Sequence, residues 1–288
     1  MTHALRLAGQ CEIVPPMGER AAKLPDDGFA PPINARALVE AVTVRSVDNI
    51  HEAAVALRDY AAAHRLRAAL CDDIASKETM VDADGAVLAA DLFGWLGDGE
   101  RWWEDHRLAL HSPLPRSCRY ESEPFWCNGE GFRTANPNPY LDDIDLSRYF
   151  AANERYKAAI VVPVHPPFGQ ISANSYHPID HEVFDLTDQF AEIGHILALA
   201  TRRFIAGYAS AMRTKRRIPS DCELSKREVE CLRWAAIGKT DREIGMIISL
   251  SHATVRYHVH RAGEKLNSVN RAQTIFKAGQ LGYLGANS

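Results

Sequence analysis

Repeated helix-capping sequences near the C-terminal end constrain the fold of this chain more than any other feature. Residues 225–228 (SKRE) and 240–243 (TDRE) both have the capping-box form, in which a Ser or Thr hydroxyl and a Glu three positions later satisfy each other's backbone amides. Ser251 and Asn270 are of the residue types preferred at the N-cap. Residues 223–284 are therefore predicted to form a helix-turn-helix unit of four short helices joined by tight turns.

Apolar residues recur at helical spacing behind these caps, as expected for helices that share a core. They are Val229, Leu232, Ala235 and Ala236 after the first cap, Ile244, Ile247 and Ile248 after the second, and Ile275, Phe276, Ala278 and Leu281 after the fourth. Gly238 suits the left-handed backbone that ends a helix, because glycine adopts it at little cost.

The third of these helices, predicted from Ser251 to about Leu266, has the features of a helix that reads the major groove of DNA. Its predicted core stripe is Val255, Val259 and Ala262. A reading helix enters the groove with its N-terminal residues, and the candidates on its other faces are His252, Arg256, Tyr257 and His260. Arg256 carries the guanidinium that pairs with guanine N7 and O6. The candidates for phosphate contacts, which set the register on DNA, are Lys239, Thr240, Thr254 and Lys265.

A small solvated helical bundle with ordinary surface charge is the alternative for this segment. The caps, the glycine stop and the basic positions agree along the whole segment, and this agreement favours the DNA-reading interpretation. The segment also resembles the C-terminal DNA-binding domain of LuxR-type transcription regulators. The resemblance rests on LSKREVECL at 224–232, GKTDREI at 238–244, LSHATVRYH at 250–258, and then Lys265-Leu266 and Asn270-Arg271.

Gly263 is one departure from a good helix sequence inside the third helix. Glycine in a helix interior costs about 1 kcal/mol relative to alanine. We therefore expect the last turn of this helix to be loosened.

Charge is distributed unevenly along the chain. Residues 201–288 carry 16 Lys and Arg and 7 Asp and Glu, whereas the whole chain has a net charge of −4. A basic end on an acidic body predicts nucleic-acid binding at that end. The basic cluster of residues 202–217 leads into Ile218-Pro219-Ser220, which reads as a linker and, equally, as a flank that contacts phosphate.

Several classes of protein are disfavoured by composition. Six cysteines form no C-x-x-C pair, so neither a zinc site nor a disulfide framework is indicated, and a reducing cytoplasm fits. No apolar run reaches the roughly 18 residues that a membrane helix needs, and residues 1–32 lack the layout of a signal peptide. The Pro-rich turns of residues 1–32 predict a mobile arm.

The middle of the chain reads as a mixed α and β domain. Helices are predicted at residues 50–66, 99–110 and 187–212, the first with a buried stripe and the last with Thr187 as its N-cap. Strands are predicted at residues 67–71, 86–89 and 158–164, with residues 168–176 as the hairpin partner of the last. The fold class is therefore α+β, with an N-terminal α-β-α sandwich around an antiparallel sheet and a C-terminal all-α four-helix domain.

The N-terminal region resembles the autoinducer-binding domain of the LuxR-type family less closely. The resemblance implies a pocket that in many relatives binds an acyl-homoserine lactone. At the family's pocket positions this chain has other residues. Ser112-Pro113 stands where the family has Asp-Pro, Trp103 stands where it has Tyr, and Ala159 stands where it has Gly. Gly99 stands at the position of the family's first Trp and Cys127 at that of the second, with Trp126 one residue before it. A serine accepts a hydrogen bond from an amide more weakly than a carboxylate does, so a pocket changed for another small molecule is expected.

Aromatic residues around these positions fit core packing one by one, and as a cluster they fit a ligand cavity better. The candidate ligand-binding residues are Trp102, Trp103, Ser112, Phe125, Trp126 and Ala159, with Trp95 in the same cluster and Tyr120, Tyr140 and Tyr156 as weaker candidates. A tryptophan in place of that tyrosine also occurs in relatives that respond to plant-derived compounds. The favoured ligand is therefore a small apolar or aromatic molecule, such as a plant-derived signal, rather than a standard acyl-homoserine lactone.

These patterns predict a cytoplasmic LuxR-type transcription regulator that binds a two-fold DNA site as a homodimer and is controlled by a small molecule. The alternatives are an acyl-homoserine lactone receptor with a divergent pocket and, less favoured, a ligand-independent or phosphorylation-controlled regulator. Asp72 and Asp73 offer an acidic pair, but no phospho-accepting Asp follows at the required spacing. No catalytic motif, metal-ligand set or cofactor motif is found, so an enzyme is disfavoured and neither a metal nor a cofactor is expected.

The predicted domain boundaries are an arm at residues 1–32, a sensor domain at 33–212, a basic linker at 213–221 and the helix-turn-helix domain at 222–288.

Overall fold

The fold is taken from a computed structural model, which describes residues 34–76, 78–95, 111–153, 155–212 and 222–285. The predictions of an arm at residues 1–32, a helix at 99–110 and a basic linker at 213–221 fall outside these residues.

The N-terminal part contains an antiparallel five-stranded sheet with the strand order β1-β5-β4-β2-β3. The strands are β1 Leu66–Cys71, β2 Phe125–Asn128, β3 Gly131–Arg133, β4 Ala158–Val164 and β5 Ser172–Pro178. β4 and β5 form a hairpin in which Val161 pairs with Ser175. β1 joins the free side of β5, with Arg67 opposite His177. The sheet thus brings together residues that lie more than a hundred positions apart.

Helices pack against one face of this sheet. They are α1 Ala35–Ala41, α2 Ile50–Ala63 and the long α5 Thr187–Met212, whereas the shorter α3 Pro113–Ser117 and α4 Ser147–Ala151 belong to the other side. The predicted stripe of α2 is confirmed, because Ile50, Ala53, Ala54, Leu57, Tyr60 and Ala61 are all buried. Together with α5 and the sheet, this stripe forms the larger core of the molecule.

Three local predictions in this region need correction. Residues 86–89 do not form a strand, because Val87 makes only an isolated bridge to Val81 and the chain then turns through a short π-helical segment, Leu88–Leu92. α2 ends at Ala63 rather than at Leu66, because the left-handed backbone of Arg65 (φ 59°) redirects the chain into β1. Thr187 begins α5, but it is Asp185 whose Oδ1 accepts from the Thr187 amide at 2.7 Å.

The C-terminal part is a compact bundle of α6 Lys226–Ala236, α7 Asp241–Ile248, α8 His252–Lys265 and α9 Arg271–Gln280. Both capping boxes are formed, at Ser225 with Glu228 and at Thr240 with Glu243. Ser251 and Asn270 cap α8 and α9 through their side-chain oxygens. The α+β fold class with an all-α C-terminal bundle is confirmed.

Three apolar residues of this bundle, Ala236, Ile247 and Phe276, face outward, against the expectation that they join its core. The exposed fractions of Ile247 and Phe276 are 42% and 64%. Helical spacing predicts only a broad apolar stripe on one side of a helix. The centre of that stripe is occupied by Ile244 in α7 and by Ala278 in α9, which are both completely buried.

Close packing explains why position 263 is a glycine, and the neighbouring sequence does not reveal it. A Cβ at this position would lie 3.2 Å from Thr274 Oγ1 and 3.3 Å from Ser268 Oγ. α8 continues through Gly263 to Lys265, so the expected loosening of its last turn is wrong. The glycine instead allows α9 to approach α8 closely.

Candidate functional site

The reading-helix candidate, α8, is held by its buried side. Val255 and Ala262 are completely buried and Val259 nearly so, as predicted. At its start, Ser251 Oγ accepts from the Thr254 amide at 3.1 Å. The backbone and the orientation of the helix are therefore set by the core and the cap, whatever the outer side chains contact.

The outer side of α8 presents a basic and aromatic surface, which we call the α8 surface: His252, Arg256, Tyr257 and His260, all exposed. The Arg256 side chain is 70% exposed, and its Nη2 lies 3.1 Å from Nε2 of His252. Tyr257 has 60% of its surface in solvent although it is a large aromatic residue. The core of the bundle needs none of these side chains.

Asp241 fixes the neighbouring end of α7. Its carboxylate pairs with Arg271 and lies 3.9 Å from Arg256 Nε. Arg271 also donates from Nη2 to the Lys239 carbonyl at 3.0 Å. The start of α7, with Lys239 and Thr240, is thereby tied to α9 beside the α8 surface.

The phosphate candidates differ in their surroundings. Thr240 is exposed at the N-terminus of α7, and the Thr254 hydroxyl lies 2.8 Å from Ser251 Oγ at the N-terminus of α8. Helix N-termini favour anions, because free amides and the helix dipole point there. Lys265 Nζ, by contrast, donates to Oε2 of the buried Glu228 at 2.8 Å. Lys265 thus has a structural contact, and its phosphate contact stays a prediction.

The two faces of the N-terminal sheet have different partners. Along β4, Ala158, Ile160 and Val162 face the large core with α2 and α5, whereas Ala159 and Val161 face a smaller cluster. The smaller cluster contains α3 and α4, and we call its side of the sheet the α3 face. Its members are Leu114, Cys118, Phe125, Cys127, Leu146, Phe150, Ala159 and Val161.

A cavity of about 320 Å³ opens at the β1 and β5 end of the α3 face. It is lined by Arg67, Trp95, Arg155, Tyr156, His177, Pro178, Ile179 and His181. Arg67 and His177 form the floor of this cavity. They lie side by side because Arg67 of β1 pairs with His177 of β5, and both side chains point to the same face of the sheet. The side chains of Trp95 and Tyr156 form its aromatic wall.

His177 lies at the bottom of this cavity. Its side chain is 3% exposed and its Nε2 lies 2.9 Å from Ser175 Oγ. Burial, and then the positive charge of Arg67, lower the pKa of His177 to about 3. The imidazole is therefore neutral near pH 7.

A chain of polar groups links the cavity to the rest of the α3 face. The rings of Tyr156 and His177 lie 3.9 Å apart between centroids. Tyr156 OH lies 2.9 Å from Tyr149 OH, and burial raises the pKa of Tyr149. The Ser112 side chain contacts the Tyr149 hydroxyl. Ser112, Tyr149, Tyr156 and His177 are thus connected across the α3 face.

Comparison with known proteins places the chain in a family. The sequence model of "Bacterial regulatory proteins, luxR family" matches residues 222–278. The transcriptional activator AhyR of Aeromonas hydrophila is 31% identical over 185 residues, which cover 64% of this chain and 68% of AhyR. This chain belongs to the LuxR family of bacterial regulatory proteins.

Other LuxR-family relatives match over shorter stretches. The transcriptional activator VanR of Vibrio anguillarum is 34% identical over 128 residues, 44% of this chain, and the chain spans about half of VanR (52%). A solved structure of Escherichia coli SdiA is 20% identical and covers 64% of this chain and 72% of its own, with a TM-score of 0.38. The family assignment therefore rests on the sequence relatives. These relatives are regulators, which agrees with the prediction that the chain is not an enzyme.

The structure brings together some, but not all, of the ligand-binding residues that the sequence predicts. Ser112, Phe125 and Ala159 lie together on the α3 face. Trp102 and Trp103 lie outside the described residues. Cys127, at the family's second Trp position, is completely buried in the same cluster as Phe125.

Trp126 lies on the wrong side of the sheet for the predicted ligand contact. It packs in the large core, and Arg133 lies over its ring at 5.4 Å. Successive side chains of a strand point to opposite faces, so the single step between Cys127 and Trp126 moves the side chain from the α3 face to the other face. The grouping of Trp126 with Phe125 and Ala159 is corrected accordingly.

Sequence reasoning missed several cavity residues, and it included two that lie elsewhere. Arg67 and His177 meet only because β1 pairs with β5, and no local pattern signals that pairing. Tyr156 and Trp95, both in the predicted aromatic set, do line the cavity. Tyr120 and Tyr140 stack on each other at 5.8 Å and are exposed.

Two kinds of feature are absent from the part of the chain that the structure describes. It holds no group of three or more His, Cys, Asp or Glu side chains arranged to bind a metal ion. Among these same residues there is also no helix that is long and apolar enough to cross a membrane.

Proposed function

We propose that this LuxR-family chain is a DNA-binding transcription regulator whose DNA binding is controlled by a small molecule at the α3 face. The α8 surface carries the proposal. Four polar or aromatic side chains stand exposed on a capped helix, and three of them, His252, Arg256 and Tyr257, lie in its N-terminal half, the half that enters a major groove. In this proposal His252, Arg256, Tyr257 and His260 read bases.

The proposed phosphate contacts come from Lys239, Thr240, Thr254 and Lys265. Thr240 and Thr254 are supported by their positions at helix N-termini. Lys239 is supported by the tie from Arg271 to its carbonyl, which holds it next to the start of α7. Lys265 keeps one ammonium contact with Glu228 and would reach phosphate only beside that ion pair.

We further propose a homodimer on a two-fold symmetric DNA site in the cytoplasm, with the domain boundaries given by the sequence. A two-fold site follows from the docking geometry of paired reading helices, whose half-sites lie about 10 base pairs apart or multiples of this spacing. The ligand proposed for the sensor domain is an aromatic signal at Ser112, Phe125 and Ala159, together with Trp102 and Trp103.

A lactone receptor with a divergent pocket is the second candidate. AhyR and VanR are named transcriptional activators. Their names support a role in regulating transcription but do not distinguish between the two ligands. The two candidates differ in the ligand that stabilises the sensor domain. A bound ligand stabilises by RT ln(1 + [L]/Kd), about 2.7 kcal/mol at a hundredfold excess over Kd.

The test of DNA reading is selection of duplexes by the full chain from a pool of random sequences, followed by affinity measurements on the enriched site. We expect a two-fold symmetric consensus. Arg256→Ala should weaken binding to that site by about 1–3 kcal/mol and relax preference at one base position. Arg261→Ala is the matched control, because Arg261 lies in the C-terminal half of α8 and pairs with Glu264. Equal losses in both variants would argue against base reading by Arg256.

A further inference from the structure

Asp241 is an acid in an unexpected place, next to the proposed DNA contacts. It directly follows Thr240, one of the proposed phosphate contacts, and begins α7. Phosphates repel a carboxylate, so an acid at this point weakens binding to every duplex. An acid in the first turn of a helix does gain from the helix dipole, but Glu243 already supplies such a charge in the same turn. The partners of Asp241 indicate another role.

The two oxygens of the Asp241 carboxylate face different arginines. Oδ1 pairs with Arg271 Nη1, and Oδ2 lies 3.9 Å from Arg256 Nε. Arg271 is itself anchored, because its Nη2 donates to the Lys239 carbonyl at 3.0 Å. The Asp241 side chain is only 19% exposed, so salt screens its charge less than that of an open surface acid. A carboxylate tied to α9 in this way presents a fixed negative charge to Arg256 on α8.

His252 holds the Arg256 guanidinium from a second side. Nη2 of Arg256 lies 3.1 Å from Nε2 of His252, which is one helical turn earlier. A guanidinium only donates hydrogen bonds, so His252 Nε2 is the acceptor and the ring proton lies on Nδ1. The Arg256 side chain is otherwise 70% exposed. Contacts from two directions restrict the rotamers that this exposed side chain adopts before it meets DNA.

These two contacts leave one end of the Arg256 guanidinium for a base. Asp241 faces its Nε side, and His252 accepts from one N–H of Nη2. Neither contact uses the N–H groups of Nη1 or the second N–H of Nη2, and these form the end of the fork that donates two parallel hydrogen bonds. Guanine presents O6 and N7 to such a pair in the major groove.

We infer that Asp241 is a positioning residue for DNA reading, which holds Arg256 with its Nη1 and Nη2 end toward a guanine. An arginine held in this way loses less side-chain entropy when it meets that base. At a site without the guanine, the held guanidinium lacks its acceptors while the acid still repels the phosphates. Asp241 thus raises the discrimination between sites and lowers the affinity for all of them. The inference rests on the proposed function, because it requires that Arg256 reads a base.

The test measures the affinity of the full chain for three kinds of duplex at one salt concentration. They are the duplex enriched by selection with the wild-type chain, its single-base variants at the position that Arg256→Ala relaxes, and a duplex of the same composition in shuffled order. We expect Asp241→Asn to bind the shuffled duplex about three- to tenfold more tightly, because one negative charge near the phosphates is removed. Its preference for guanine over the other bases at that position should fall by about fivefold or more.

Two further variants separate positioning from stability and from charge. In the Arg256→Ala background, which lacks the guanidinium, Asp241→Asn should reduce the base preference no further, as expected when two residues act as a pair. Glu230→Gln removes an equal charge at the exposed pair with Arg227 on α6, and it should keep both the preference and the affinity for the shuffled duplex. A smaller folded fraction in Asp241→Asn would lower all affinities together and leave their ratio unchanged, so the ratio reports positioning.

The outcomes distinguish this inference from the proposed function. An Asp241→Asn protein that keeps the wild-type base preference, or that binds all duplexes more weakly by the same factor, overturns the inference while DNA reading stands. An Arg256→Ala protein with an unchanged base preference overturns base reading by Arg256, and the inference with it.

Discussion

Lys265 Nζ lies 2.8 Å from Glu228 Oε2, and this ion pair joins the last turn of α8 to the capping box of α6. Glu228 is buried, and its Oε2 also accepts from the Ser225 amide at 2.7 Å. One carboxylate therefore caps one helix and holds the end of another.

Glu228→Gln should destabilise the C-terminal bundle by about 2 kcal/mol, because it leaves the Lys265 charge without its partner and weakens the cap. Denaturant unfolding followed by a probe in the bundle measures the change. Glu230→Gln breaks the exposed pair with Arg227 and should cost less than about 1 kcal/mol. Equal costs in the two variants would contradict the role given to Glu228.

The same carboxylate predicts part of the acid sensitivity of the bundle. Burial raises the pKa of Glu228, but hydrogen bonds from Lys265 and Ser225 outweigh it, and the net pKa is lowered. A carboxyl with a lowered folded-state pKa contributes stability above its unfolded pKa of about 4.3, and this contribution is lost as pH falls through the folded-state pKa. Wild type should therefore lose more stability than Glu228→Gln below about pH 4. Parallel pH profiles in the two proteins would rule this out.

Gly263→Ala tests the close approach of α8 and α9. Alanine gains about 1 kcal/mol of helix propensity over glycine, but its Cβ would press on Thr274 Oγ1 and Ser268 Oγ. We expect a net destabilisation of about 1 kcal/mol or more from overpacking. Gly279→Ala is the matched control, because a Cβ at position 279 meets nothing within 4 Å. This substitution should raise the free energy of unfolding by up to about 1 kcal/mol. If Gly263→Ala gained as much stability as Gly279→Ala, the side chains around position 263 would have to move aside at little cost.

The buried imidazole of His177 predicts a second pH dependence of stability, in the N-terminal domain that contains the sheet. Its folded-state pKa of about 3 lies below the unfolded value of about 6.5, so the unfolded chain binds more protons between these values. Stability from the neutral ring is complete above about pH 6.5 and is lost as pH falls toward 3. Unfolding of wild type and of His177→Gln at pH 7 and pH 5 measures the effect, and the slope should be steeper in wild type. A variant with the wild-type slope would place the titration elsewhere.

The alternation of faces along β2 predicts different consequences for neighbouring substitutions. Trp126→Phe should lower stability by about 1–3 kcal/mol through the large core and leave ligand affinity unchanged. Cys127→Phe, on the α3 face and completely buried, should change ligand affinity as well as stability. Calorimetric titration with an aromatic compound such as 4-hydroxycinnamate, and with an N-acyl-homoserine lactone, distinguishes the two variants. A large change in affinity for either compound in Trp126→Phe alone would reverse the assignment of faces.

Local signals in the sequence were sufficient for much of this fold. The caps at Ser225, Thr240, Ser251 and Asn270 form as predicted, because each depends on residues within three positions. The buried stripe of α2 also follows from spacing alone. The sequence therefore predicted the reading-helix candidate almost residue by residue, including its outward His252 and Arg256.

What could not be predicted depends on pairings between distant residues. Arg67 and His177 lie side by side only through the register of β1 with β5. Trp126 was assigned to the wrong face because the ligand position on β2 was misplaced by one residue, and neighbouring residues of a strand point to opposite faces. The packing of Gly263 against Thr274 joins two helices across a turn, and propensity alone reads that glycine as a defect. Each of these misses concerns a contact between elements rather than an element.

The strand order of the sheet also has a consequence for how the chain is made. Among the strands that the structure describes, β1 pairs with β5 alone, so the sheet cannot close until synthesis has passed Pro178. Long loop closures of this kind slow folding. Ribosomes add roughly 5–20 residues per second, which leaves β1 as an open edge for several seconds. The helical bundle, whose hydrophobic core is built from residues 222–284 alone, has no such wait. An effector present during translation would therefore meet a cavity that is completed while the last helices are still being synthesised.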